Sequence, residues 1–306
     1  MDLFNKAIAT VLPIVPKSIV QKVSERYIAG ATLDDAVRTV KSLNAKGAMA
    51  TVDVLGEFIQ DLDQAARNTA YCCEVLRRIH HDGLKGNLSI KLTSLGLELD
   101  LIVCEQNVRT ILDAARENGH NFVRIDMENS PFTTMTIGLY KKLRREYDNV
   151  GIVLQSYLRR TIVDIEDLLE EGNANNVRTN VRLCKGIYIE PETIAFKERR
   201  DVQASYLACL DTLFEGNAYI GIATHDDVLI AGAKERIRKR NLKPDQYEFQ
   251  MLLGVRDAVR DALIREGYRI RIYVPFGEDW YGYSIRRLKE NPKMGGYIVK
   301  ALLTGK

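Results

Sequence analysis

The sequence predicts an α/β fold of the (β/α)8 TIM-like barrel type, with extra helices ahead of the barrel. Three observations carry this reading. Short β-branched, apolar runs alternate with longer helical stretches eight times. No Pro/Gly/Ser-rich linker breaks the alternation. The 306 residues, 46% hydrophobic and 28% charged, are enough for one large core. An open doubly wound sheet is the rival, but neither G-x-G-x-x-G nor G-x-x-x-x-G-K-[ST] occurs.

Taken in order, strands are expected at 47–55, 88–95, 122–128, 151–157, 180–188, 219–225, 247–254 and 269–276. Several are apolar on both faces, as suits parallel strands with helices outside and a packed interior. Residues 1–46 read as a helical extension, with Thr32 as a cap, and 47–306 as the barrel. A helix over 161–171 opens on Thr161-x-x-Asp164 and stops at Gly172. Another over 257–265 carries Val259, Leu263 and Ile264 near helical spacing and closes at Gly267. The last, 281–290, ends before Pro292.

A net charge of +3 is too small to argue for nucleic acid, and the basic runs 141–145 and 234–240 read as solvated helix faces. Five cysteines without C-x-x-C suggest neither disulfides nor zinc, and fit a reducing cytoplasm. His80, His81, His120 and His225 are scattered and H-E-x-x-H is absent, so no metal is expected. No G-x-S-x-G elbow occurs. Pro13 and Pro16 break the apolar N-terminal run, and no spanning helix is expected. Peripheral contact with the inner face of a membrane stays open.

Function in such barrels collects at the carboxyl ends of the strands. Lys91, Asp126, Gln155, Arg182 with Lys185 and Tyr188, Thr224-His225-Asp226, Glu248 with Gln250, and Tyr273 all fall at or near those ends. Arg286-Arg287 follow in the last helix, with Glu290 at contact spacing. Singly, each has a plainer reading: a snorkelling lysine, a helix-capping aspartate, a core histidine, a solvated arginine pair. Together they require partners or a ligand, because burying so many polar groups is otherwise costly. The excess of cations suits a carboxylate or a phosphate. On these residues two readings stand: a lyase or aldolase with Lys91 or Lys185 as Schiff base, and a non-catalytic binding barrel. Cys184 is either a nucleophile or a buried structural thiol.

The strings SIKLTSLG, NFVRIDME, LQSYLRR, NVRLCKGIYIEP, ATHD, YEFQMLLGVR and RIYVPFGEDWYGYSIRRLKENP, in order from Leu88 to Pro292, closely resemble the flavin-dependent proline dehydrogenases of the short monofunctional bacterial type. The resemblance implies FAD at the barrel mouth and oxidation of L-proline to 1-pyrroline-5-carboxylate by hydride transfer to flavin N5, the first step of proline degradation. It also implies a quinone-type electron acceptor and a separate 1-pyrroline-5-carboxylate dehydrogenase. By motif, Arg286 and Arg287 would hold the proline carboxylate with Lys91 assisting, and Tyr273, Tyr283 and Glu290 would line the ring pocket. Asp126 would position the substrate side and Arg182 would sit by flavin N5 as the second catalytic candidate. Met127, Gln155, Arg182, Lys185, Gly186, Ile187, Thr224 and His225 would contact FAD, with Tyr188 nearby. The sequence departs from the large bifunctional members at Ile189, where they carry tryptophan, and in a shorter loop after Tyr273.

Overall fold

The computed structural model describes residues 26–56, 59–281 and 284. Among them the order is α1 (Leu33–Ala45), β1 (Met49–Val54), α2 (Leu62–His81), β2 (Gly86–Ile90), α3 (Leu101–Glu117), β3 (Val123–Ile125), α4 (Ser130–Arg144), β4 (Val150–Gln155), α5 (Thr161–Ala174), β5 (Asn180–Cys184), α6 (Arg199–Glu215), β6 (Tyr219–Ala223), α7 (Asp227–Lys239), β7 (Tyr247–Leu252), α8 (Asp257–Arg265) and β8 (Ile270–Phe276). Every strand pair is parallel, and the sheet closes in sequence order, β8 meeting β1 from Met49↔Arg271 to Val54↔Phe276. The predicted barrel is therefore observed.

Side-chain caps explain four of the eight described helix starts. Thr32 and Asp35 form a reciprocal capping box on α1. Asp61, Asp100 and Asp226 cap α2, α3 and α7 by accepting early backbone N–H groups. α4 is different. Its N-cap Asn129 makes no side-chain cap bond. Glu190, from the loop after β5, accepts instead from Ser130 N and Ser130 Oγ, both at 2.7 Å. A carboxylate at this end also complements the helix dipole.

Four expectations are corrected. The second strand ends at Ile90, and Thr93–Leu95 form a 3-10 turn because Lys91 O and Leu92 O accept from Ser94 N and Leu95 N. The fifth strand ends at Cys184; Gly186, at φ +110°, turns the chain outward, which places Lys185 to Tyr188 in a loop. Gly172 does not stop α5, which runs on to Ala174; a Cβ there would meet Thr179 Oγ1 at 2.6 Å, so close packing selects the glycine. Nor does Thr161 cap that helix: its hydroxyl donates to Gln155 O at 2.6 Å, and Arg160 grips Asp164.

The strands' two faces differ more than the sequence reading allowed. Outward residues such as Val52, Ile90, Ile125, Ile152, Leu183 and Ile222 are buried beneath the helices. Each such side chain contributes about 1.5–3 kcal/mol of apolar burial. The expected apolar bore is absent. Alternate, inward positions carry Thr51 and Asp53, Ser89, Arg124, Arg182, Glu248 and Gln250, and Arg271 and Tyr273; most of these bond across the barrel to one another or to Asn87 and Asp126, while Arg124 donates to Ile152 O and to Asn180.

Candidate active site

The upper bore is organised around Asp126. β3 is only three residues long, but Asp126 N still donates to Ile90 O at 2.9 Å, which holds the residue in line with its strand. Its Oδ1 accepts from Ser89 Oγ at 2.6 Å and from Arg182 Nη1 at 2.8 Å. Its Oδ2 accepts from the Tyr273 hydroxyl at 2.7 Å. Burial, then the neighbouring Asp126 and Asp53, push the Tyr273 phenol well above its ordinary range, so it remains a donor at neutral pH.

Lys91 does not snorkel. It is 9% exposed, and its Nζ lies 2.6 Å from Asp53 Oδ1, 3.4 Å from Tyr273 Oη and 3.9 Å from Asp126 Oδ2. Arg182 is fixed on several sides: Nε donates to Gln250 Oε1 at 2.6 Å, Nη1 to Asp126, and Nη2 to Thr51 Oγ1 at 3.4 Å. Its guanidinium carbon sits 5.3 Å from the centre of the Tyr273 ring, a cation–π distance. Lys91, Asp126, Arg182 and Tyr273 thus form one cluster, joined by Asp53 and Ser89.

Deeper in the bore, Arg271 Nε and Nη2 clasp Glu248 at 2.6 and 3.1 Å. Burial opposes ionisation of Glu248, but the charge and hydrogen bonds of Arg271 outweigh it and hold the carboxyl at about 2. Burial and the nearby Arg182 charge depress Arg124 to about 9. Among the described residues, the bore holds four cations (Lys91, Arg124, Arg182, Arg271) against three carboxylates (Asp53, Asp126, Glu248). Buried ion pairs seldom stabilise a fold relative to apolar packing. A bore built this way favours an added anion.

The second group of expected residues lies along the ends of β4 to β6. Gln155 Nε2 donates to Glu128 O at 2.9 Å. Lys185 and Arg199 both approach Asp226 Oδ2, at 3.9 and 3.0 Å, and remain largely solvent-facing. Gly186 is pressed on Tyr157: a Cβ there would lie 2.1 Å from the ring. Ile187 is half exposed and Ile189 fully so. Thr224 is buried, and its Oγ1 accepts from Asp226 N at 3.1 Å. His225 Nε2 accepts from Leu252 N at 2.9 Å, which requires that nitrogen to be unprotonated. Met127 packs its side chain into the apolar core.

Tyr283, Arg286, Arg287 and Glu290 lie outside the described residues. Asp126 does not cap α4, whereas Asp226 does cap α7. Cys184 is partly buried, with Sγ 3.5 Å from Leu154 O. The sequence reading assigned no role to Asp53, Ser89 or Arg271. The signal was available as strict alternation: Thr51-x-Asp53, Ser89-x-Lys91, Glu248-x-Gln250 and Arg271-x-Tyr273 place polar groups on one face of each strand. Among the described residues, no helix is long and apolar enough to cross a membrane, and no cluster of three or more His, Cys, Asp or Glu could hold a metal.

The family model described as proline dehydrogenase matches residues 36–298. "Proline dehydrogenase 2" of Bacillus subtilis (strain 168) is 37% identical over 277 residues, 90% of this chain and 89% of that protein. "Proline dehydrogenase" of Deinococcus radiodurans is 35% identical over 317 residues, covering 99% of both. In structure, proline utilization A (PutA) from Bdellovibrio bacteriovorus, inactivated by N-propargylglycine, superposes with a TM-score of 0.83 at 26% identity, over 89% of this chain and 33% of that one. These findings agree with the closed barrel and its charged mouth: the chain belongs to the proline dehydrogenase family, the oxidoreductases that carry out the first step of proline catabolism.

Proposed function

We propose that the chain binds FAD along the carboxyl ends of β4 to β6 and oxidises L-proline to 1-pyrroline-5-carboxylate by hydride transfer to flavin N5. A quinone-type acceptor would take the electrons onward, and a separate dehydrogenase would consume the product. The observation that carries this reading is the convergence of Lys91, Asp126, Arg182 and Tyr273 on one hydrogen-bonded cluster with an excess of positive charge.

The residues fit a flavin. Gln155, Lys185, Thr224 and His225 stand at or just beyond the ends of β4 to β6, Gly186 packs tightly on the Tyr157 ring at the same rim, and Lys185 and Arg199 offer solvent-facing cations for a diphosphate. When bound, the flavin supplies the two-electron acceptor. The chain's own residues do the rest. Arg182, held by Asp126 and Gln250, presents a fixed positive charge where electron density accumulates. Lys91 and the Arg286–Arg287 pair would hold the substrate carboxylate, and Tyr273 would flank the proline ring. Fixing the ring in this way removes orientational freedom ahead of the reaction, worth up to about 7–11 kcal/mol in the best model systems. The substrate amine must shed its proton before hydride leaves, and water at the mouth can take it. The Asp53–Lys91 ion pair engages the lysine ammonium, which disfavours Lys91 as a Schiff base.

The test is a spectrum. Purified protein should carry the visible bands of oxidised flavin, and anaerobic L-proline should bleach them. Colourless protein that FAD does not reconstitute, or bands that proline leaves intact, would remove this reading.

A further inference from the structure

Beneath Arg182 lies a buried set of groups of which the reaction above uses only the single Gln250 contact. Gln250, on β7, spans it. Its Oε1 accepts from Arg182 Nε at 2.6 Å, and its Nε2 donates to Glu248 Oε1 at 2.6 Å. A guanidinium can only donate and a carboxylate can only accept, so the amide has one permitted orientation. Glu248 is itself immobile: Arg271 clasps it twice and the Tyr219 hydroxyl donates to it at 2.9 Å. Arg271 is anchored in turn to Ala50 O at 2.8 Å.

A second, independent feature concerns space. Gly221 on β6 faces this amide, and a Cβ there would lie 2.4 Å from Gln250 Nε2. Ile220 and Ile222, its strand neighbours, are ordinary apolar residues with side chains on the other face. The strand therefore surrenders a side chain at the one position where Gln250 needs room.

We propose that Gln250 is a positioning residue that acts through Arg182: it relays the Glu248–Arg271 pair to Arg182 Nε, fixing the guanidinium plane and setting the field it projects on the flavin. This rests on the reading that Arg182 acts beside the flavin. An amide suits the task better than either neighbour in size. Glutamate would place a second carboxylate on Arg182, cancelling its charge and repelling Glu248. Methionine would leave Nε–H unpaired and let the guanidinium turn about its contact with Asp126.

The experiment uses FAD-loaded Gln250→Met, Gln250→Glu and Arg182→Lys protein. Flavin midpoint potential is measured against a reference dye, and the anaerobic reductive half-reaction by stopped flow. Both Gln250 variants are expected to keep near-normal FAD content and proline affinity. Gln250→Met should slow flavin reduction about tenfold. Gln250→Glu should make reduction at least about tenfold less favourable, which is about 30 mV for a two-electron couple. Wild-type potential and reduction rate in Gln250→Met would overturn the proposal, even if Gln250→Glu does not fold. If the Gln250 variants match wild type while Arg182→Lys changes both readouts, only the relay fails. If Arg182→Lys changes neither, the placement of Arg182 by the flavin fails as well.

Discussion

Glu248 and Arg271 allow the energetics of the bore to be tested apart from catalysis. Glu248 is 1% exposed and accepts four hydrogen bonds, two from Arg271 and one each from Tyr219 and Gln250. Glu248→Leu leaves a buried guanidinium without its counter-charge, and should cost about 3–5 kcal/mol. Arg271→Met strands the carboxylate and should cost a similar amount. The double variant removes both charges, leaving Gln250 Nε2 and Ala50 O short of partners, so its cost should fall below the sum of the single costs by at least about 2 kcal/mol. The pH dependence follows with a definite sign. The Glu248 carboxyl is lowered from 4.5 to about 2. Its stabilising contribution is complete above about pH 4.5 and is lost as pH falls toward 2; a shift of this size corresponds to about 3 kcal/mol. The assay is urea unfolding followed by circular dichroism at constant FAD concentration, repeated through the acid range. Additive single costs, or a wild-type advantage over Arg271→Met that does not shrink with acid, would refute the argument.

Two further outcomes concern the mouth. Gly186→Ala should raise the Kd for FAD about tenfold or more, because a Cβ at φ +110° is strained and meets the Tyr157 ring; fluorescence titration of apoprotein with FAD reads this directly. Arg286→Ala should weaken proline binding by about 2–5 kcal/mol with flavin content intact, measured from the proline dependence of flavin bleaching.

The barrel was legible because outward-facing Val, Ile and Leu alternate with helices at regular intervals, and because Thr32 and Gly267 mark helix ends by local chemistry. Gly172 misled because a glycine that permits close packing looks the same in sequence as one that ends a helix. Thr161 misled for a related reason: its hydroxyl was taken up by a strand carbonyl six residues back. At the site, Lys91, Asp126, Arg182 and Tyr273 were legible as charges or phenols at strand ends. Their partners were less so. Asp53 stands in a run otherwise read as apolar, and Arg271 falls in a strand whose other polar residue drew attention first. Which carboxylate meets which cation depends on the closure of β8 against β1, and no short window of sequence contains that contact.

Glu190 ties two parts of the chain into one thermodynamic unit. The segment that carries Lys185 to Tyr188 ends on the carboxylate that finishes the first turn of α4, so lifting that segment strips Ser130 of its acceptor and frays a helix that belongs to a different βα repeat. Whatever orders the segment must also tighten α4, and slower amide hydrogen exchange in that first turn becomes a remote gauge of whether the mouth is filled.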